Sequence, residues 1–217
     1  MPRYKYAFFD LDGTLTDPAV GITDSVMYAL DKFGIHVSDR RELFKFIGPP
    51  LLDSFRDFYG FDEQKAREAT RHYREFFRDR GIFENELYPD IPPLLQRLRD
   101  AGLRLAVATS KPQEFAIRIA EHFGLAGYFD FIAGAAMDET RTAKWEVIEY
   151  AMENLGITDP GSVIMIGDRE HDVLGARRCG IDCIGVLYGY GSREEFESCG
   201  AKYIAATAPE VGDIILN

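Results

Sequence analysis

The sequence predicts an α/β fold, a doubly wound parallel sheet that carries an inserted all-helical segment. Residues 6–9 form a nearly all-apolar run, which is typical of a strand buried on both faces of a parallel sheet. Strand-like and helical stretches alternate from Leu87 onwards, the order expected of a sheet covered by helices. Between residues 16 and 83 the apolar pattern is helical, and we expect no strand there. The chain therefore divides into an α/β core, residues 1–15 and 84–217, and a helical domain, residues 16–83.

The helical domain is predicted to contain several short helices. Apolar residues recur at spacings of three and four along the first of them, namely Ile22, Val26, Ala29, Leu30 and Phe33. Gly34 is expected to end that helix. Further helical stretches are predicted over residues 41–46, 51–59 and 63–80, and Gly48-Pro49-Pro50 interrupts them with a stiff turn.

The core is predicted to alternate strands and helices after residue 87. Strands are expected over residues 103–108, 129–133, 162–166, 182–187 and 203–206. Helices are expected before Gly102 and over residues 112–123, 144–155, 173–179 and 210–216. In such sheets, ligands bind beyond the carboxyl ends of the strands, so we expect the functional residues to follow the strands there.

Composition limits the classes of function. The 217 residues suit a core with a second small domain, and the formal net charge of −11 disfavours nonspecific binding to nucleic acid or to anionic membranes. The three cysteines, Cys179, Cys183 and Cys199, do not suggest a disulfide framework. We see no signal peptide and no apolar run long enough to span a bilayer, and we expect a cytoplasmic protein.

Two acids follow the first strand. Asp10 and Asp12 stand at positions i and i+2, so in an extended segment their side chains point the same way, and Gly13 then allows a sharp turn. Buried carboxylates held together are costly unless positive charge lies between them. Mg²⁺, which prefers oxygen ligands, would supply that charge. An ordinary acidic turn is the alternative, because Asp-Gly pairs are common turn signals.

Two further motifs follow later strands. Thr109 and Ser110 come after the strand predicted at 103–108, where a helix N-terminus would offer N–H groups to an anion, although a simple helix cap is also possible. Lys144 opens a predicted helix. A lysine in a first turn opposes the helix dipole, which suggests a specific partner, although a solvated lysine is the alternative.

A second acidic cluster follows the strand at 162–166. The pattern Gly167-Asp168-x-x-x-Asp172 places Asp168 at the strand end and Asp172 near the start of the next helix, where an acid suits the dipole. This pattern is more specific than Thr109 or Lys144 alone.

These four motifs, in this order, resemble those of the haloacid dehalogenase-like phosphohydrolase superfamily. The helical insert is similar to the helical cap of that superfamily, and the likeness extends over essentially the whole chain, with a Rossmann-like core. Within the superfamily the chain looks most like the phosphoglycolate phosphatase group, on account of Phe46-Ile47-Gly48-Pro49-Pro50-Leu51 and Tyr188-Gly189-Tyr190-Gly191-Ser192.

The resemblance implies a Mg²⁺-dependent phosphatase that acts on a small phosphorylated metabolite. Asp10 would be the nucleophile, giving an aspartyl-phosphate, and Asp12 would be the general acid and base. Mg²⁺ would be held by Asp10, the main-chain carbonyl of Asp12, and Asp168. The protein is expected as a monomer or homodimer.

The remaining motif residues are also given roles by the resemblance. Thr109 and the N–H of Ser110 would bind phosphate oxygens. Lys144 would bridge Asp10 and the phosphate. Asp172 would hold Lys144 or a metal-bound water.

Departures from the family pattern leave the substrate open. Ser110 stands where phosphoglycolate phosphatases often have Asn, and the pattern of Arg141, Lys144 and Trp145 also resembles 5′-nucleotidases. Dehalogenase activity is disfavoured, because Asp12 has no role in displacing halide. The motifs are also compatible with a phosphomutase on the same scaffold and, less readily, with a phosphate-binding regulator that has no turnover.

The helical cap is expected to choose the leaving group. The catalytic motifs touch only phosphate, metal and the bridging oxygen, so selection falls to whatever covers the site. Lys45 and Gly48, at the Gly-Pro-Pro turn, are the candidates for substrate selection. A loop without functional consequence is the alternative.

Overall fold

The computed structural model describes residues 3–138 and 140–217. The strands, in chain order, are β1 (Tyr6–Phe9), β2 (Thr16–Asp17), β3 (Glu86–Leu87), β4 (Arg104–Pro112), β5 (Phe131–Ala135), β6 (Val163–Gly167), β7 (Asp182–Val186) and β8 (Tyr203–Ala205). The α-helices are α1 (Ala19–Asp31), α2 (Leu51–Tyr59), α3 (Glu63–Phe76), α4 (Ile91–Asp100), α5 (Gln113–His122), α6 (Lys144–Leu155), α7 (Glu170–Arg178), α8 (Arg193–Cys199) and α9 (Ala208–Leu216).

The chain forms two compact units. The first contains the residues up to Thr16 together with Leu87–Asn217, and the second is Asp17–Glu86. The two segments that connect them, β2 and β3, pair as a two-stranded sheet. No helix in residues 3–138 and 140–217 is long and apolar enough to cross a membrane.

The first unit is built on a six-stranded sheet in the order β5-β4-β1-β6-β7-β8. Every neighbouring pair is parallel. The central strand β1 is fully buried over Ala7–Phe9 and pairs on one side with β4 and on the other with β6, so that Phe9 lies opposite Val107 and Ile166. The carboxyl ends of these three strands therefore meet at one edge. The predicted fold class is confirmed.

Apolar side chains hold helices against this sheet. Phe8 and Met165, on adjacent strands, share a buried cluster with Val147 and Ile148 of α6 and with Val173 of α7. Burial of a large apolar side chain contributes about 1.5–3 kcal/mol. The cluster therefore holds α6 and α7 against the sheet, and both helices begin at its carboxyl edge.

The second unit is helical. It contains α1–α3, a 3₁₀ segment over Arg40–Phe46 and a π-helical turn over Phe77–Gly81 that continues α3. Aromatic side chains form much of its core: Phe46 lies edge-on to Phe55, with ring centroids 5.1 Å apart, and Phe55 stacks on Phe61.

Several element predictions need correction. The short strand β2 lies in a segment whose pattern predicts no strand, and neither it nor β3 is long enough to show an alternating pattern. The strand predicted to end at Ala108 continues to Pro112 through a register shift after Thr109, and α5 begins only at Gln113. Helix α1 ends at Asp31, before Gly34. Helix α8 is absent from the predicted elements.

Candidate active site

Asp10 directly follows β1 at the centre of the sheet edge. Its N–H donates to the carbonyl of Ile166 at 2.9 Å, and its Oδ1 accepts from the N–H of Leu11 at 2.8 Å. The chain then turns tightly, with Gly13 at a φ of 77° and its N–H bonded to the carbonyl of Thr16. Both Asp10 and Asp12 are buried in this turn.

Asp168 follows β6, and the glycines around it allow its close approach. A Cβ at Gly13 would lie 2.1 Å from Asp168 Oδ2, and one at Gly189 would lie 2.4 Å from Asp168 Cβ. The N–H of Tyr190 donates to Asp168 Oδ2 at 2.8 Å. The Tyr188–Ser192 stretch, a cue for the family in the sequence, thus holds Asp168, and Tyr188 also donates through its hydroxyl to the carbonyl of Thr14.

Lys144 lies between two carboxylates. Its Nζ is 2.9 Å from Asp10 Oδ1 and 2.7 Å from Asp172 Oδ1, and it donates to the carbonyl of Ala108 at 3.1 Å. The residue is only 5% exposed. Burial lowers the pKa of Lys144, but Asp10 and Asp172 outweigh burial, so the net shift of the pKa is upward. The lysine is therefore held charged at neutral pH.

Asp172 is fixed from two sides. It lies in the first turn of α7, its Oδ2 accepts from the N–H of Arg169 at 3.1 Å, and its Oδ1 faces Lys144. Helices α6 and α7 approach closely here, because a Cβ at Gly175 would lie 2.8 Å from Lys144 Cγ. Asp172 thus orients the lysine.

Three buried carboxylates converge at this edge. Oxygens of Asp10, Asp168 and Asp172 all lie within 4.8 Å of one another. Burial, followed by the charges of Asp172 and Asp10, raises the pKa of Asp168 well above its ordinary value. Burial also raises the pKa of Asp172 to about 6, against the opposing effect of Lys144. Such crowded oxygen donors fit a hard divalent cation, which would relieve this repulsion.

A second buried ion pair lies beside the first. Lys111 Nζ is 2.5 Å from Asp12 Oδ2, and Lys111 is 8% exposed. Asp12 Oδ1 is buried with no hydrogen-bond partner among the described residues. Burial raises the pKa of Asp12, while Lys111 opposes that shift. Reasoning from the sequence missed Lys111, although a lysine two residues after Thr109 at a strand end was a signal.

Thr109 lies at the same edge, on the strand next to β1. It is buried, and its Oγ1 accepts from the N–H of Lys111 at 3.2 Å. Thr109 pairs with Gly134 and the next pair is Pro112 with Ala135, so Ser110 and Lys111 form an irregular strand end. The helix predicted to start at residue 112 begins one residue later, at Gln113, with Pro112 as its N-cap.

Lys45 and Gly48 belong to the second unit. Lys45 is exposed, with Nζ 4.7 Å from the ring centroid of Phe58 and 5.6 Å from that of Tyr59. Gly48 has a φ of 104°, a conformation that favours glycine. Their role in substrate selection stays a prediction.

Comparison with known proteins places this chain in a family. Residues 7–186 match the model of the haloacid dehalogenase-like hydrolases. A 5′-nucleotidase of Pseudomonas aeruginosa is 50% identical over 196 residues, which cover 90% of this chain and 88% of the relative. The tyrosine-protein kinase PtkA of Mycobacterium tuberculosis is 41% identical over 97% of this chain and 72% of its own.

Comparison with solved structures also gives a phosphatase as a relative. The crystal structure of a predicted phosphatase from Clostridium acetobutylicum is 51% identical, covers 98% of both chains and has a TM-score of 0.96. A phosphoglycolate phosphatase of Vibrio parahaemolyticus is 26% identical over 97% of this chain and 96% of the relative. The chain belongs to the haloacid dehalogenase-like hydrolase family. It is a phosphatase with phosphoglycolate phosphatases among its relatives, which confirms the resemblance drawn from the motifs.

Proposed function

We propose that this phosphatase hydrolyses small phosphate monoesters with the aid of Mg²⁺, through an aspartyl-phosphate on Asp10. The observation that carries the proposal is the buried arrangement around Asp10, in which Lys144 Nζ lies 2.9 Å from Oδ1 and Asp168 stands on the neighbouring strand end. A carboxylate held in this way is preorganised for attack, since its position is set before substrate binds.

Asp10 is the nucleophile in this proposal. The N–H of Leu11 and the ammonium of Lys144 both contact Oδ1, so we assign Oδ2 to the attack on phosphorus. The new Oδ2–P bond forms as the bond from phosphorus to the ester oxygen breaks. Water then attacks the aspartyl-phosphate at phosphorus, which returns the carboxylate and releases inorganic phosphate.

Asp12 is assigned the proton transfers. In the first step, it donates a proton to the leaving ester oxygen, and in the second, it takes one from the attacking water. Burial raises the pKa of Asp12, which favours the acid form of the carboxyl more than water does, while Lys111 opposes that shift. Because Asp12 regains from water the proton that it gave to the ester oxygen, no other proton source is required.

The phosphate oxygens are assigned to Thr109, Ser110 and Lys144. A hydroxyl that accepts one hydrogen bond can still donate another, so the Thr109 O–H remains a donor while its oxygen accepts from Lys111. Lys144 offsets the negative charge of both Asp10 and the phosphate. Asp172 keeps that ammonium in place.

Mg²⁺ would be held by Asp10, Asp168 and the main-chain carbonyl of Asp12. The oxygens of Asp10 and Asp168, which lie within 4.8 Å of each other, and the raised pKa of Asp168 support the two carboxylate ligands. Asp172 belongs to the same cluster, but its Oδ1 is paired with Lys144. When bound, the ion reduces the repulsion between the carboxylates and the phosphate and stabilises charge in the transition state.

Nucleoside 5′-monophosphates are the first substrate class that we propose, with phosphoglycolate second. The relative at 50% identity is a 5′-nucleotidase, whereas the phosphoglycolate phosphatase relative is 26% identical. We also propose that the helical unit, Asp17–Glu86, acts as a cap that selects the leaving group, with Lys45 and Gly48 in its Gly-Pro-Pro turn region.

A substrate screen with purified protein tests the proposal. Inorganic phosphate release is measured with Mg²⁺ from nucleoside monophosphates, phosphoglycolate, sugar phosphates and pyrophosphate, with excess chelator and Asp10→Asn as controls. We expect turnover that requires both the metal and Asp10, fastest with a nucleoside monophosphate. Fastest turnover of phosphoglycolate would overturn the substrate class alone. Absence of phosphate release from every ester, or release only when a bisphosphate activator is present, would contradict the phosphatase mechanism.

A further inference from the structure

Lys111 is a buried cation that the proposed mechanism leaves without a role. Its ammonium lies 2.5 Å from Asp12 Oδ2, and both residues are shielded from solvent. Lys144 is already committed to Asp10 and Asp172, so the two buried lysines serve different carboxylates. Burying the charge of a lysine costs free energy unless the charge is well paired, so its position beside Asp12 calls for an explanation.

The end of β4 is shaped to bring Lys111 to Asp12. The register with β5 shifts between Thr109 and Pro112, and irregularities of this kind re-aim side chains. The N–H of Lys111 donates to Thr109 Oγ1 at 3.2 Å, which fixes the backbone of the lysine to a residue assigned to phosphate binding. The lysine therefore stands on a stretch of backbone that is hydrogen-bonded to Thr109.

The pairing leaves one oxygen of Asp12 for chemistry. Lys111 occupies Oδ2, whereas Oδ1 is buried and has no hydrogen-bond partner among residues 3–138 and 140–217. A buried acceptor without a partner costs about 1–3 kcal/mol, so such atoms call for an explanation, and a catalytic role is a recognised one. When Oδ1 carries the proton that the proposed general acid must donate, it becomes a donor, and the ester oxygen of a substrate would be the acceptor that it lacks.

We propose that Lys111 is a positioning residue for the leaving-group side of the reaction. It holds Asp12 by Oδ2, so that Oδ1 presents the proton to the ester oxygen as the bond to phosphorus breaks. This inference rests on the proposed function, in which Asp12 is the general acid. It separates the two lysines by role: Lys144 serves the nucleophile, and Lys111 serves the acid.

Leaving-group dependence tests this role. A nucleoside 5′-monophosphate releases a poor alkoxide that needs a proton, whereas p-nitrophenyl phosphate releases a phenolate that leaves without one. The ratio kcat/KM reports the steps up to leaving-group release, so it isolates the acid from the later base. General acid catalysis contributes about 10²–10⁴-fold. We therefore expect Lys111→Met to lower kcat/KM about 10²-fold or more for the nucleotide and less than about tenfold for the aryl ester.

Matched variants separate positioning from a general loss of structure. Asp12→Asn should show the same selective loss, and Lys111→Arg, which keeps a cation, should recover part of the nucleotide activity. Lys202→Met, which breaks an ion pair with Asp182 at 2.6 Å outside the site, should leave both substrates unaffected. If Lys111→Met does not fold, Lys111→Gln and Lys111→Arg are compared by the same ratio.

An equal loss for both esters in the Lys111 variants would overturn the inference, as would full nucleotide activity in Lys111→Met. Failure of the proposed function looks different, because Asp10→Asn would then remain active. If Asp10→Asn is inactive and the leaving-group ratio of the Lys111 variants is that of the wild type, only the role of Lys111 is wrong.

Discussion

In the metal-free protein, the contribution of Asp172 to stability should fall by a defined amount as the pH rises. Asp172 is fully buried, and its pKa is raised from 3.8 to about 6, chiefly by burial. A carboxyl with a raised pKa holds its proton more tightly in the folded state than in the unfolded state. Its contribution to stability is therefore complete below the unfolded pKa and is lost as the pH rises through about 6.

The size of this contribution follows from the shift. One pKa unit corresponds to about 1.4 kcal/mol, so the difference between 3.8 and about 6 is worth about 3 kcal/mol. For a chain of this length, each kcal/mol moves the unfolding temperature by roughly 2–4 °C. Between about pH 4 and pH 8, Asp172 should thus remove roughly 6–12 °C of thermal stability.

Thermal unfolding of wild type and Asp172→Asn in excess chelator measures this difference. Asparagine also removes the charge that raises the pKa of Asp168, and this second effect changes the pH dependence in the same direction. Asp172→Asn should lose less stability than wild type as the pH rises. Asp57→Asn, at an exposed position, is the control for net charge and should follow wild type. Parallel curves for wild type and Asp172→Asn would refute the reasoning.

Three further predictions concern activity and metal binding. Asp10→Asn should lose far more than tenfold in kcat, because an amide is a poor nucleophile; a loss within about tenfold, or ~1.4 kcal/mol, would contradict its role. Gly13→Ala should weaken Mg²⁺ binding measured by calorimetry, since the new Cβ would lie 2.1 Å from Asp168 Oδ2 at a φ of 77°, and Gly34→Ala, also at positive φ but with open space around it, is its control. Lys45→Ala should change the ratio of kcat/KM between nucleotide and phosphoglycolate while Mg²⁺ binding stays unchanged; a common factor for all substrates would exclude selection by this residue.

Helices with strong periodicity could be read from the sequence. Helix α6 has the predicted bounds, because its apolar residues recur regularly and Gly156 ends it. That Asp10 and Asp168 lie at the same edge of the sheet also follows from parallel topology, since the carboxyl ends of parallel strands lie on the same side. These are local or topological properties, and a single sequence carries them.

What could not be predicted depends on contacts between distant segments. Strand β2 consists of two residues and exists through its pairing with β3, so no local pattern marks it. The irregular strand end on which Lys111 lies depends on the register between β4 and β5. Helix α8 did have a local signal, because the Ser192 hydroxyl accepts from the N–H of Glu195, a capping pattern that could have been recognised.

The central claim is that the phosphoryl group passes through Asp10, and trapping it there is the most direct test. The protein is mixed with Mg²⁺ and substrate, quenched in acid within one turnover and digested. The mass of the peptide that contains Asp10 is then measured by mass spectrometry, before and after borohydride reduction. We expect the mass of one phosphoryl group on that peptide, its conversion to homoserine at position 10 by borohydride, and neither change in Asp10→Asn. A phosphoryl group on another residue, or rapid turnover with no labelled peptide at any quench time, would contradict the mechanism.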